Sequence, residues 1–436
     1  MSLLTINASL AWRNLWRNRR RSLVTISSLA FGFAAIALFA GYTHATYQAL
    51  ANTAIHAEGI GHLTVNRKGW ETQGKLQPEK FLLTAQDIAT TRAIVEKVLP
   101  GATVIPRLSA SGLLSNGRSS TIFIASGITA AGQRTLRGPF KDAPGALDNS
   151  KPSGVTLAQG LADVLGFQVG DSASVLSSTI HGQANAADID VNDTVNTGNV
   201  STNDKLMVMP LELAQSLMDA KGRAEVLTLL LPSRLSANAN MDAAEAMRVA
   251  YTQPAPSESE SNALRSLLNA QFKSAGLDME VRTWQEMSAF YRQVKTLYDM
   301  IFALMLTVVL AIVVLSIANA MSMAVIERTR EIGTLRAMGV RRFGIASLFV
   351  SEALMLVLVG TVAGLVLTGL ARYGVNAADI RYVPPSSTSA VPVYIGFDLA
   401  RTTLAGLVLS VLAVAAAFLP ARRAAHHPII ESLGHV

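Results

Sequence analysis

Apolar residues along the 436-residue chain are gathered into runs. Residues 23–45, 300–325 and 402–421 contain no Asp, Glu, Lys or Arg, and residues 343–371 contain one, Glu352, near their start. Each run reaches the ~20 predominantly apolar residues that a spanning helix needs. The pattern therefore predicts four transmembrane helices, one early and three late.

Between the first two runs the periodicity is that of short strands and helices. Residues 62–65 alternate like a strand, and Thr84-Ala-Gln-Asp87 is a capping-box start for a helix ending near Pro100-Gly101. Strands are expected near 108–114, 121–127, 205–209, 225–231 and 279–283. Short helices are expected before Gly166, after Pro210 as first helical residue, and over 261–275 before Gly276. This is an α+β domain of short elements. Residues 285–299 form a polar helical pattern with no breaker before Met300, so a helix is expected to run from 285 into the second span. The last span is expected to end at Pro420.

The layout expected is an amphipathic segment (1–22), a first span (23–46), an outer α+β domain (47–297) and a second span (298–325). A charged connection (326–342), a third span (343–371), a short outer loop (372–400), a fourth span (401–421) and a tail (422–436) follow.

Charge fixes the sidedness. The chain carries a net +7, yet residues 47–297 hold 22 Lys+Arg against 23 Asp+Glu. Five arginines lie within residues 1–22 and five more within 326–346, beside apolar runs. That is the positive-inside pattern, so both termini and the 326–342 connection are expected in the cytoplasm and residues 47–297 outside. With the basic excess explained by topology, nucleic-acid binding loses its support. The absence of cysteine excludes a disulfide scaffold, but a domain of this size can be stable on its core alone.

Within residues 1–22, Trp12 and Trp16 lie one helical turn apart, with Arg13 and Arg17 in a parallel row. Such a helix would lie in the headgroup layer, tryptophans at the interface and arginines on phosphates. A signal peptide would share the basic start, but its apolar core runs ~7–15 residues, so an uncleaved anchor is expected.

Motifs for chemistry are lacking. No G-x-x-x-x-G-K-S/T, H-E-x-x-H or G-x-S-x-G occurs. His426-His427 reads as a juxtamembrane anchor, and Asp188-x-Asp190-x-Asn192 fails as a calcium loop because Asp193 and Asn199 stand where Gly and Glu are required. Neither a metal nor a cofactor is expected on this chain. Gly360 with Gly364, and Gly406 with Ser410, are small-residue pairs that suit either packing within the bundle or a dimer seam. Glu352, ionisable at the edge of a span, is expected to pair with an arginine such as Arg341 or Arg342 or to be functional. In the connection, Ile326, Ile332, Leu335 and Met338 share a face at helical spacing. That suits an interfacial helix or a docking surface equally.

The segment REIGTLRAMGVRR (330–342), followed by SEALMLVLVGTVAGLVLTG (351–369), resembles the signature of the FtsX/MacB/LolC-type ABC permeases. AWRNLWRNRRRSLVT (11–25), LAQGLADVLGFQVGDSASVL (157–176), LMVMPLELAQSLMD (206–219) and PARRAAHHPIIESL (420–433) extend the likeness, which is weakest over 177–203 and 232–258. The resemblance implies a mechanotransmission machine: two permease chains, identical or different, in the inner membrane above two separate ATPase subunits that carry ATP and Mg. Motion passes through the helices to a MacB-like periplasmic domain, with no substrate channel through the membrane. It implies a coupling helix of Glu331, Ile332, Gly333, Leu335, Arg336, Ala337, Met338 and Gly339, and, with no fused ATPase expected here, no enzymatic activity on this chain. The function implied is lipoprotein release, as in the LolC/LolE branch, or efflux of a periplasmic substrate, as in the MacB branch, with a lipoprotein or carrier as periplasmic partner. The alternative is an FtsX-like scaffold that activates a cell-wall hydrolase.

Overall fold

The helices used below are α1 (Arg19–Asn52), α2 (Ala85–Val98), α3 (Ala130–Arg137), α4 (Glu258–Ser274), α5 (Ala289–Glu327), α6 (Thr329–Ala337), α7 (Arg342–Ala377) and α8 (Leu399–His426). They come from a computed structural model that describes Arg13, Arg17 and residues 19–74, 76–138, 144–232, 243–385, 387–388 and 390–426. Trp12, Trp16 and His427 lie outside the described residues. Helices α1, α5, α7 and α8 are each long and apolar enough to cross a membrane. The chain divides into two units, one built from residues 1–45, 295–380 and 393–436, the other from 46–294 and 381–392.

In the first unit the four long helices bury one cluster. Leu29 and Phe33 of α1 meet Ile317 and Met321 of α5, Phe349 and Leu356 of α7, and Leu409 and Ala417 of α8. Small residues set the closest approach: a Cβ on Gly360 would stand 2.6 Å from Leu29 Cβ, and one on Gly364 2.9 Å from the Ala30 carbonyl. This pair therefore packs within the bundle, against α1. Gly406 differs, because a Cβ there would meet only ordinary contacts with Phe33 and Thr361, and Ser410 bonds back to the Gly406 carbonyl at 2.7 Å. Helix α8 does not stop at Pro420 but continues to His426. Proline removes one donor, a loss that membrane helices tolerate, and Ala421 and Ala425 are buried in the same cluster.

The second unit holds a nine-stranded sheet: β1 (Leu63–Arg67), β2 (Thr103–Ser115), β3 (Ser120–Ile128), β4 (Gly154–Ala158), β5 (Ser172–Ser178), β6 (Ala184–Val195), β7 (Leu206–Pro210), β8 (Val226–Leu230) and β9 (Met279–Thr283). Their order is β3-β7-β4-β6-β5-β2-β8-β1-β9, and β3 also pairs with β2. Six strands thus close on themselves, while β8, β1 and β9 extend from the long β2. Closure abolishes free edges and encloses Leu114, Phe123, Val155, Val175, Val191 and Met207. Gly112 permits the tight β2–β5 approach, since a Cβ there would lie 1.9 Å from the Leu176 carbonyl oxygen. On the extension, α2 and α4 cover the sheet with Val95, Leu268 and Phe272.

Local signals explain most boundaries. Thr84 and Asp87 form the capping box that starts α2. Helix α4 begins at Glu258, ahead of the expected 261, because Ser257 and Glu260 form a second capping box. Pro210 is the N-cap of a helix beginning at Leu211. The helix expected from 285 is interrupted: Trp284–Met287 is a separate turn, Ser288 is extended at ψ 96°, and α5 starts at Ala289. Residues 177–203, where the family likeness is weakest, supply β6, whose Asp188 and Asp190 accept hydrogen bonds from Ser174, Ser153 and Ser172. These serine bonds hold the Asp190 carboxyl below its usual pKa. No cluster of metal-ligating side chains occurs among the described residues.

Candidate functional site

The charged connection folds as α6 between two bends. At the first, Arg328 leaves helical geometry (φ −111°, ψ 18°), and Thr329 Oγ1 bonds to the carbonyls of Val325 and Ile326, each at 3.0 Å. At the second, Gly339 adopts φ +93°, where a Cβ would be strained. The Gly339 N–H donates to the Arg336 carbonyl and the Val340 N–H to that of Leu335, the two bonds of a Schellman motif. The Arg-Ala-Met-Gly stretch thus ends a helix and turns the chain into α7.

Four polar contacts fasten this corner. Arg17 Nη2 lies 3.1 Å from Glu331, and Arg21 Nη1 of α1 lies 2.7 Å from Glu327. Arg328 Nη1 lies 3.1 Å from Glu352 of α7, with both side chains only 5% exposed. Arg336 donates to the Ala425 carbonyl of α8. Ile332 and Gly333 are buried, and Ile332 joins the cluster with Ile345, Phe349 and Ala421. Hence the corner around α6 is held to α1 and the residues before it, to α7 and to α8 by polar contacts as well as by packing.

The placement sorts the residues that the sequence singled out. Glu352 pairs with Arg328 and not with Arg341 or Arg342, which are exposed at the start of α7. Arg17 is taken by Glu331, while Arg13 is exposed. Ile332, Gly333, Leu335 and Arg336 face the bundle; Glu331, Ala337, Met338 and Gly339 are exposed. Thus the apolar face inferred from spacing splits, with Ile326 and Met338 outside and Ile332 inside. Sequence reasoning missed Arg21, Glu327, Arg328 and Phe343. The first three pair across hundreds of residues or across a helix break, which spacing cannot reveal. Phe343 carried a signal, an aromatic directly after two arginines, and it is 83% exposed, as Met338 is at 70%.

A model of the MacB-like periplasmic core domain matches residues 22–247, just over half of the chain, and one of the FtsX-like permease C-terminal region matches residues 303–429, which include α6. The chain belongs to the FtsX/MacB-type ABC permeases. It is a multi-pass membrane protein with a periplasmic domain between its first two spans.

Among curated relatives, it is 32% identical over 135 residues to the macrolide export ATP-binding/permease protein MacB of Chromobacterium violaceum, covering 31% of this chain and 19% of that protein. It is 36% identical over 119 residues to the pyoverdine export ATP-binding/permease protein PvdT of Pseudomonas entomophila, covering 27% and 16%. The match spans less than a quarter of either relative's length. The crystal structure of the periplasmic region of MacB from Actinobacillus actinomycetemcomitans superposes with a TM-score of 0.30 at 14% identity, covering 52% of this chain and 89% of that one.

Proposed function

We propose that this permease couples ATP hydrolysis on a separate ATPase subunit to motion of its periplasmic domain, and that the motion expels a periplasmic substrate. In this proposal two permease chains pair in the inner membrane with their termini in the cytoplasm. ATP and Mg reside on the partner. One observation carries the proposal: Met338 at the end of α6 and Phe343 in the first turn of α7 are both exposed, flanking the exposed Arg341 and Arg342 in sequence, on a corner tied to α1, α7 and α8. A large apolar side chain exposed among cations suits a protein partner, and a corner fastened to three long helices cannot be pushed without moving them. Efflux is favoured over lipoprotein release because the relatives are named for macrolide and pyoverdine export.

The native chain has no cysteine, which permits a direct test. Met338→Cys or Phe343→Cys is expected to cross-link to an ATP-binding chain in native membranes, and Phe31→Cys, on the apolar part of α1, is not. Failure of both α6-side positions to form such an adduct would remove the docking assignment.

A further inference from the structure

The periplasmic domain contains a cavity of about 470 Å³ that the coupling mechanism does not use. Its size falls within the ~300–1,000 Å³ range of small-molecule sites. Ile60, Ile128, Leu136, Val195, Leu206 and Val208 give it apolar walls. Three charged side chains also line it, Arg107, Arg137 and Glu58.

The two arginines point at first to an anion, but each is already matched. Arg107 donates to the Gly59 carbonyl and to Ser126 Oγ, with Glu225 as its counter-charge. Arg137 donates to the Gly145 carbonyl at 2.8 Å, with Asp193 as its counter-charge. His56 Nδ1 is engaged with the Leu136 carbonyl at 2.9 Å.

Glu58 is the unmatched group. Among the described residues it has neither an ion pair nor a side-chain hydrogen bond, and burial alone acts on its carboxyl, raising its pKa. The residue is exposed and lines the cavity. Among the described lining residues each guanidinium is thus matched by a carboxylate outside the cavity, Glu225 or Asp193, and Glu58 is the charge left without a counter-ion. A carboxylate that lines a cavity with apolar walls gains most from a cation that brings its own apolar body.

We propose that this cavity binds an amphiphilic monocation, an apolar body bearing one protonated amine, with Glu58 as its counter-charge. Binding there stands whether or not α6 docks an ATPase, and its test uses no ATP.

Three probes with one body and different heads decide the matter: 4-phenylbutylamine, 4-phenylbutanol and 4-phenylbutanoate, titrated calorimetrically into the full chain in lipid nanodiscs with empty nanodiscs subtracted. The amine is expected to bind about tenfold more tightly than the alcohol, the scale of one charge-assisted hydrogen bond, and the carboxylate least. Glu58→Gln keeps the shape and should abolish the amine's advantage while leaving alcohol binding and the unfolding temperature unchanged. Three outcomes each overturn the proposal: no saturable binding of the amine, a carboxylate that binds as well as the amine, or an amine preference that survives Glu58→Gln.

Discussion

Arg328 and Glu352 form an ion pair 3.1 Å long whose side chains are both 5% exposed, joining the bend before α6 to α7. Arg328 Nε and Nη2 have no partner among the described residues. Desolvation of two charges is thus only partly offset by their attraction. Removing one partner leaves an uncompensated buried charge, so Glu352→Ala is expected to destabilise the protein by ~3–5 kcal/mol. Replacing both, as Arg328→Met with Glu352→Leu, should recover most of that loss. Thermal unfolding in nanodiscs checks it: if the double variant is no more stable than Glu352→Ala, the pair is not the source of the effect.

Gly360 and Gly364 predict a position-specific sensitivity in α7. A methyl group at Gly364 would approach both the Ala30 carbonyl and Phe33 at 2.9 Å, and at Gly360 it would crowd Leu29. Gly364→Ala should cost ~1–3 kcal/mol by overpacking. Gly369 and Gly374, on the same helix, have nothing within 4 Å of an added Cβ. Substituting Ala there should be neutral or slightly stabilising, because alanine favours the helix. Equal unfolding temperatures for Gly364→Ala and Gly369→Ala would argue against the α1–α7 contact.

How much of this was legible in the sequence depends on the range of the interaction. The four spans and the α2 capping box rest on runs and i,i+3 spacings, which the chain itself displays. Closure of β3-β7-β4-β6-β5-β2 rests on the pairing of β3 with both β2 and β7, a tertiary fact without a local signature. The same division runs through α6. Its helix and its Gly339 stop were readable. The inward turn of Ile332 and Arg336 and the outward turn of Met338 were not, since the 3.6 period gives a face without saying what covers it. Glu352 was recognisable as an anomaly in an apolar run, but its partner lies across a break at Arg328 that no residue type announces.

In the periplasmic domain, His62 predicts a pH dependence. Its Nδ1 accepts the Leu231 backbone N–H at 3.1 Å, and its ring stands edge-on to His56 at 6.0 Å. Burial, and secondarily the His56 ring, lower its pKa from 6.5 to about 4. Between these values the unfolded chain binds more protons than the folded one, so stability is full above pH 6.5 and falls as the pH drops toward 4. The loss amounts to ~3 kcal/mol at the acid end. His62→Asn, which retains an acceptor for Leu231, should flatten that slope. The test is the unfolding temperature across this window, followed by fluorescence of the buried Trp284; identical slopes for variant and native chain would exclude His62 as the cause.

Arg336 and Met338, two residues apart, should fail in different ways. Arg336 donates to the Ala425 carbonyl, so Arg336→Ala frees the end of α8 and exposes an acceptor. It is expected to lower the unfolding temperature by an amount equivalent to ~1–3 kcal/mol and to weaken ATPase stimulation as a consequence. Met338 is 70% exposed and is not a member of the buried cluster. Met338→Glu should leave the unfolding temperature unchanged yet reduce both co-purification with the ATPase and its stimulation, since it sets a charge into an apolar contact. Gly339→Ala adds strain at φ +93° and should cost ~1 kcal/mol, with a proportionate loss of coupling. Parallel measurement of unfolding and ATP turnover separates the cases. If Met338→Glu lowers the unfolding temperature as much as Arg336→Ala does, Met338 belongs to the bundle and the docking surface must be sought elsewhere on the cytoplasmic side.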